Sequence, residues 1–133
     1  MSSFTTGDSY SLSFEVSNEH HNAFLEVFND KNPMHASQEY AKQHGFSDVV
    51  MHGNILNGFL SYFVGEQLPV KNVVIVSQEI KFKNPVFLND TLAFEAKVAE
   101  VFESVNLVVF KFVFKNTDGK KVALGRVEIK ELV

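Results

Sequence analysis

Gly53-Asn54-Ile55-Leu56-Asn57-Gly58-Phe59-Leu60-Ser61-Tyr62-Phe63-Val64-Gly65-Glu66-Gln67-Leu68, followed at once by Pro69, is the segment on which the fold turns. Ile55, Leu56, Phe59, Leu60, Phe63 and Val64 recur at helical spacing, and no charge appears in it before Glu66. A helix this apolar has to be covered on most of its sides. Gly65 and Pro69 mark where it ends.

The cover stands downstream, where everything after Pro69 reads as strands. Ile80 and Phe82 alternate with Lys81 and Lys83, and Leu92, Phe94, Ala96 and Val98 alternate with Glu95 and Lys97. Phe110, Phe112 and Phe114 form an apolar stripe against Lys111 and Lys115, while Val127 and Ile129 alternate with Arg126, Glu128 and Lys130. Asn89-Asp90, Glu103-Ser104 and Asn116-Thr117-Asp118-Gly119 supply the turns. The expected fold is α+β, a curved antiparallel sheet of about five strands wrapped around a long central helix, the hot-dog layout. Such a sheet leaves an edge strand and an incompletely covered helix, so a homodimer is expected.

Upstream, Ser9 to Val16 alternates as a first strand with Tyr10, Leu12, Phe14 and Val16 on one face. Ser17 reads as the N-cap of a helix to about Phe28, with Phe24, Leu25 and Phe28 turned inward. Pro33 stops any continuation, and Asn32-Pro33 also reads forward, as a cap with proline at the first helical position. A short helix over Gln38 to His44 would close at Gly45.

Composition narrows the function. The 133 residues, 45% hydrophobic, fit one globular domain, 1–133, and without cysteine there is neither disulfide framework nor thiolate chemistry. A net charge of −4 with Arg126 the only arginine argues against nucleic acid. No apolar run is long enough to span a bilayer, and the N-terminus lacks the basic-then-apolar order of a signal peptide, so a cytoplasmic location is expected.

Two elements carry chemistry: Asp30-Lys31-Asn32-Pro33-Met34-His35, and His52-Gly53 at the head of the apolar helix. On a continuous helix, residues five apart diverge by about 140°, so Asp30 and His35 would face apart. Pro33 breaks that geometry and lets a loop gather carboxylate and imidazole, where they can share a water, one group taking a proton and the other giving one. Burial and neighbouring charge are expected to tune both groups. Gly53, without a side chain, would let a carbonyl oxygen approach its N–H at the positive end of the helix, as an oxyanion site for an activated thioester. Each element also has a plain reading: the Asn32-Pro33 stretch as a capped loop, and His52 as an ordinary helix-start residue.

The first motif resembles the Asp-x-Asn-Pro-x-His motif of MaoC-like proteins and R-specific enoyl-CoA hydratases, and Val50-Met51-His52-Gly53 resembles their second motif. Gly65-Glu66-Gln67-Leu68-Pro69 and Lys81-Phe82-Lys83-Asn84-Pro85-Val86-Phe87 are similar to segments of the short bacterial members. The resemblance implies hydration of trans-2-enoyl-CoA to (R)-3-hydroxyacyl-CoA, or the reverse dehydration, with no cofactor or metal beyond the coenzyme A of the substrate. It implies Asp30 and His35 as the catalytic pair, Gly53 N–H as the oxyanion donor, and Asn32, Ser61 and His52 in support. The acyl group would be carried by coenzyme A or by acyl carrier protein.

The chain departs from the pattern where Asn29 replaces the usual glycine before the aspartate and Asn54 replaces an apolar residue. An Asn54 side chain in the acyl pocket would favour a short or polar chain. A hot-dog acyl-CoA thioesterase and a non-catalytic acyl-CoA-binding module are the alternative functions. His20, His21 and His44 fall on polar helix faces and read as solvated, and Lys81, Lys83, Lys120 and Lys121 are candidates for the phosphates of coenzyme A on charge alone.

Overall fold

A computed structural model of the chain describes residues 2–133. Its first half runs β1 (Ser9–Glu15), α1 (Asn18–Phe28), α2 (Pro33–Ala36), α3 (Gln38–Gln43), α4 (Ile55–Tyr62) and a π-helical turn (Phe63–Gln67). The second half holds four strands, β2 (Val73–Phe82), β3 (Thr91–Phe102), β4 (Leu107–Lys115) and β5 (Lys121–Glu131), with a 3-10 turn (Glu103–Val105) between β3 and β4. The strands form one antiparallel sheet in the order β1-β3-β4-β5-β2, with β1 and β2 at the edges.

The sheet's inner face is aromatic because the registers align it so. Leu12 pairs with Phe94, which pairs with Phe114, and Tyr10, Ala96 and Phe112 form the adjacent row. Phe94, Phe110 and Phe114 are completely buried. On the outer face Lys97, Lys111 and Arg126 share one row, and Glu95, Val113 and Leu124 form the next.

Against the inner face lies the segment read as the central helix, and all six of its periodic apolar residues are buried. Phe63 is its deepest anchor, its ring 5.0 Å from Phe94, 5.5 Å from Phe110 and 5.4 Å from Tyr10. Two details differ from the expected Gly53–Leu68 helix. Regular α-helix begins at Ile55 and gives way after Tyr62 to the π turn. The looser winding returns Leu68, five residues after Phe63, to the buried side.

The first helix also departs from expectation. Ser17 does cap it, with His20 in the reciprocal position of a capping box: Ser17 Oγ accepts the His20 N–H, and His20 Nδ1 accepts the Ser17 N–H at 3.1 Å. No residue of α1 is fully buried, however, and Phe28, expected inward, is 68% exposed. The reason is that α4 already fills the concave face, leaving α1 to border an open cleft.

Replacing Phe63 by Ala should cost about 3–5 kcal/mol of stability, the range for truncating a buried aromatic. Denaturant unfolding of the variant checks this; a loss under about 1 kcal/mol would contradict the packing described.

Candidate functional site

Asn29 ends α1 in the left-handed conformation (φ 55°), which explains the missing glycine: asparagine is the side chain that best tolerates that region. The chain reverses there and presents Asp30. Asp30 Oδ1 accepts the Asn32 N–H at 3.3 Å, and Asn32 Oδ1 accepts the Met34 N–H at 3.0 Å, so Asn32 is the N-cap of α2 with Pro33 at its first position. Asn32 thereby shapes the turn between the acid and the imidazole.

His35 is held from both ends. Its Nδ1–H donates to the Val50 carbonyl at 2.6 Å, and the Val50 N–H returns a bond to the Met34 carbonyl at 2.9 Å. In the neutral ring that bond places the proton on Nδ1 and the lone pair on Nε2. The Met51 N–H donates to Val86 at 2.8 Å, tying the same segment to the body of the fold.

His52 is the only buried polar residue among those described, at 3% exposure. Its Nε2–H donates to the Asp30 carbonyl at 2.9 Å and lies 4.0 Å from Asp30 Oδ2, while its ring stacks between Phe24 (4.4 Å) and His35 (4.1 Å). Burial holds His52 below the ordinary histidine pKa, and the His35 and His21 imidazoles push the same way, against the opposing pull of the Asp30 carbonyl and carboxylate. Neutral, with its proton on Nε2, it keeps an unpaired lone pair on buried Nδ1.

The outcome is a cluster: one ligand atom each from Asp30, His35 and His52 lie within 4.8 Å of one another. A metal ion would find its protein ligands here, yet each imidazole already spends one nitrogen on a carbonyl. What the arrangement can do unaided is hold a small polar molecule between the half-exposed Asp30 carboxylate and His35 Nε2.

Gly53 forms the turn before α4, and its N–H donates to no acceptor among the described residues. A Cβ at this position would lie 2.9 Å from the Phe82 ring, so that ring occupies the space a side chain would take.

Two clefts flank the cluster. An apolar one of about 1000 Å³ is walled by Phe14, Phe24, Val27, Phe28, Phe59 and Tyr62, with Asp30 and Asn54 on its border. A smaller one of about 470 Å³ has His35, Phe82, Lys83 and Asn84 among its walls. The cleft accounts for the exposure of Val27 and Phe28.

Other expected residues fall as follows. Asn54 borders the apolar cleft, its Oδ1 accepting from Asn57 Nδ2 at 2.7 Å. Ser61 stands on the exposed face of α4 with no hydrogen bond to Asp30 or His35. Of the four lysines, Lys83 alone borders the cleft beside His35; Lys81 pairs with Glu79 at 3.8 Å, and Lys121 lies on the outer sheet face.

Of the histidines read as solvated, His21 is half-buried, whereas His20 is exposed as expected. His20 sets its ring edge-on to Phe59 at 5.0 Å on the wall of the apolar cleft, and His21 Nε2–H donates to the His35 carbonyl at 2.8 Å. Both partners lie far along the chain, so helical periodicity could not show them. His44 is exposed as expected, donating to the Tyr40 carbonyl at 2.9 Å.

The buried neutral His52 has a pH signature. Its folded pKa is depressed, so its contribution to stability is complete above about 6.5 and is lost as pH falls through the folded value. His52→Phe should therefore lose less stability than the parent between pH 7.5 and pH 5.5 in paired denaturant titrations. Equal losses would contradict a buried neutral imidazole.

Comparison with known proteins identifies the family and the fold. The profile of the MaoC like domain matches residues 5–117. The chain is 31% identical to an (R)-specific enoyl-CoA hydratase of Rhodospirillum rubrum over 79% of its length and 73% of the relative's. It is 32% identical to a 3-hydroxybutyryl-CoA dehydratase of Methylorubrum extorquens over 68% of its length, spanning 57% of that protein. In three dimensions it is similar to the (R)-hydratase from A. caviae involved in PHA biosynthesis, with a TM-score of 0.89, 26% identity and 98% of both chains covered. The fold is thus the hot-dog fold, and the chain belongs to the MaoC-like domain family.

Proposed function

We propose that the chain is a hydro-lyase that adds water across the double bond of a trans-2-enoyl thioester to give the (R)-3-hydroxyacyl thioester, or runs the reverse dehydration. The observation that carries this reading is the convergence of Asp30 and His35 between the two clefts, with His35 Nδ1 committed to Val50 and its Nε2 making no hydrogen bond among the described residues. Relatives named as (R)-specific hydratases and dehydratases support it.

In this mechanism the water sits between the Asp30 carboxylate and His35 Nε2. Its oxygen attacks C3 as one of its protons passes to the pair, and the pair delivers a proton to C2, so neither side chain ends the cycle changed. Negative charge gathering on the thioester oxygen is met by the Gly53 N–H. The acyl chain follows the aromatic cleft, and the carrier enters past Lys83. Coenzyme A and acyl carrier protein both present a phosphate that a lysine can meet, and no other cofactor is required. With its Oδ1 engaged by Asn57, Asn54 forms part of the rim of a mainly apolar channel, which favours an apolar acyl chain over a polar one.

The working form is a homodimer. Strand β2 is an edge ten residues long, and Val74, Ile75 and Val76 on it are 42%, 39% and 51% exposed. An unpaired apolar edge of that length is a template for a second strand. The exposed face of α4, with Gly58 and Ser61, is open to the same covering. Among the described residues no helix is long and apolar enough to cross a membrane.

Crotonyl-CoA should lose its enoyl-thioester absorbance in the presence of the protein. Asp30→Asn and His35→Ala should each lower that rate at least about hundredfold, with circular dichroism unchanged, as expected for loss of a proton-transfer group. Full activity in either variant, or release of free thiol in place of hydration, contradicts the reading. By light scattering the parent should have the mass of two chains and Val76→Lys that of one; a monomeric parent contradicts the dimer.

A further inference from the structure

The carbonyls of Asp30 and His35 are each occupied by an imidazole. His52 serves the first, and the second accepts from His21 Nε2–H at 2.8 Å, reaching across 14 residues of chain.

The need for this donor follows from the brevity of α2. Its four residues end where Ser37 takes an extended conformation (φ −121°, ψ 111°) and becomes the cap of α3. The last carbonyls of a helix have no donor of their own, and here the next turn cannot supply one. Ser37 N–H serves Pro33, which leaves the His35 carbonyl to an outside group. His21, half-buried on α1, meets it, with its ring centroid 5.8 Å from that of His52. Because a carbonyl only accepts, Nε2 must carry the hydrogen, and the bond holds whether the imidazole is neutral or charged.

The bond also links two elements that have little else in common. Helix α1 buries no residue completely, so its position over the loop depends on a few polar and aromatic contacts. Through His21 the helix that walls the acyl cleft is tied to the helix that carries the imidazole.

We infer that His21 is a positioning residue for His35: it holds α2 where the His35 ring can serve the bound water. The inference rests on His35 being a proton-transfer group. Displacing such a group by about 1 Å can cost up to a hundredfold in rate without weakening substrate binding.

His21→Phe keeps an aromatic ring and removes the donor; His21→Gln removes the ring and keeps an N–H of similar reach. Hydration of crotonyl-CoA should show kcat about tenfold lower for His21→Phe, with KM within twofold of the parent. His21→Gln should recover at least half of the lost rate. A merely structural role would lower the melting temperature of both variants and would not be rescued by Gln. The inference is overturned if His21→Phe keeps kcat within twofold of the parent, or if Gln is as slow as Phe. If the parent itself does not hydrate crotonyl-CoA, the proposed function has failed, and imidazole ¹⁵N–¹H spectra decide the positioning role. His35 should show a fixed Nδ1–H tautomer in the parent and a tautomer mixture in His21→Phe; identical His35 signals in both overturn it.

Discussion

The structure depends on one segment finding a dry place. Leu56, Leu60 and Phe63 leave almost no surface to water, and a helix that apolar is stable only against a matching face. The sheet provides it because the registers of β3 and β4 align Phe94, Phe112 and Phe114 in adjoining rows. Each strand must therefore pair without slipping, since a shift by one residue would turn its aromatic side chains to solvent. The close approach at Gly125 points the same way: a Cβ there would lie 1.9 Å from the Glu79 carbonyl, so the β5–β2 contact admits only glycine.

With α4 in place, the head of that helix becomes a reference point for the site. His52 and Gly53 stand just before its cap Asn54, and His52 reaches back to the Asp30 carbonyl. Val50, two residues earlier, takes the His35 Nδ1–H. The acid and the imidazole are thus placed by backbone carbonyls and histidine rings anchored to the buried helix, in preference to contacts with one another. Such an arrangement leaves the working faces of both groups free for a ligand, as preorganised sites require.

Much of this was legible in the sequence, and the failures share a cause. The strands alternated cleanly because their inner face is uniformly buried, and the six apolar residues of the central helix repeated at its own period. Asp30, His35 and Gly53 stood out because proline and glycine mark breaks that local rules can read. Phe28 was misplaced because inward and cleft-lining look alike on an amphipathic helix. His21 was misread because its partner, the His35 carbonyl, lies on another element, 14 residues along the chain. Ser61 carries the same lesson in reverse: its place in the motif did not show that it lies on the exposed face of α4.

The chemistry proposed for this chain is addition of water to one face of an activated double bond, with that face set by the Asp30–His35 pair relative to the oxyanion donor. The most direct measurement is the configuration at C3 of the product formed from crotonyl-CoA, read by chiral chromatography after hydrolysis. The account predicts 3-hydroxybutyrate of (R) configuration alone. A racemic or (S) product would contradict it.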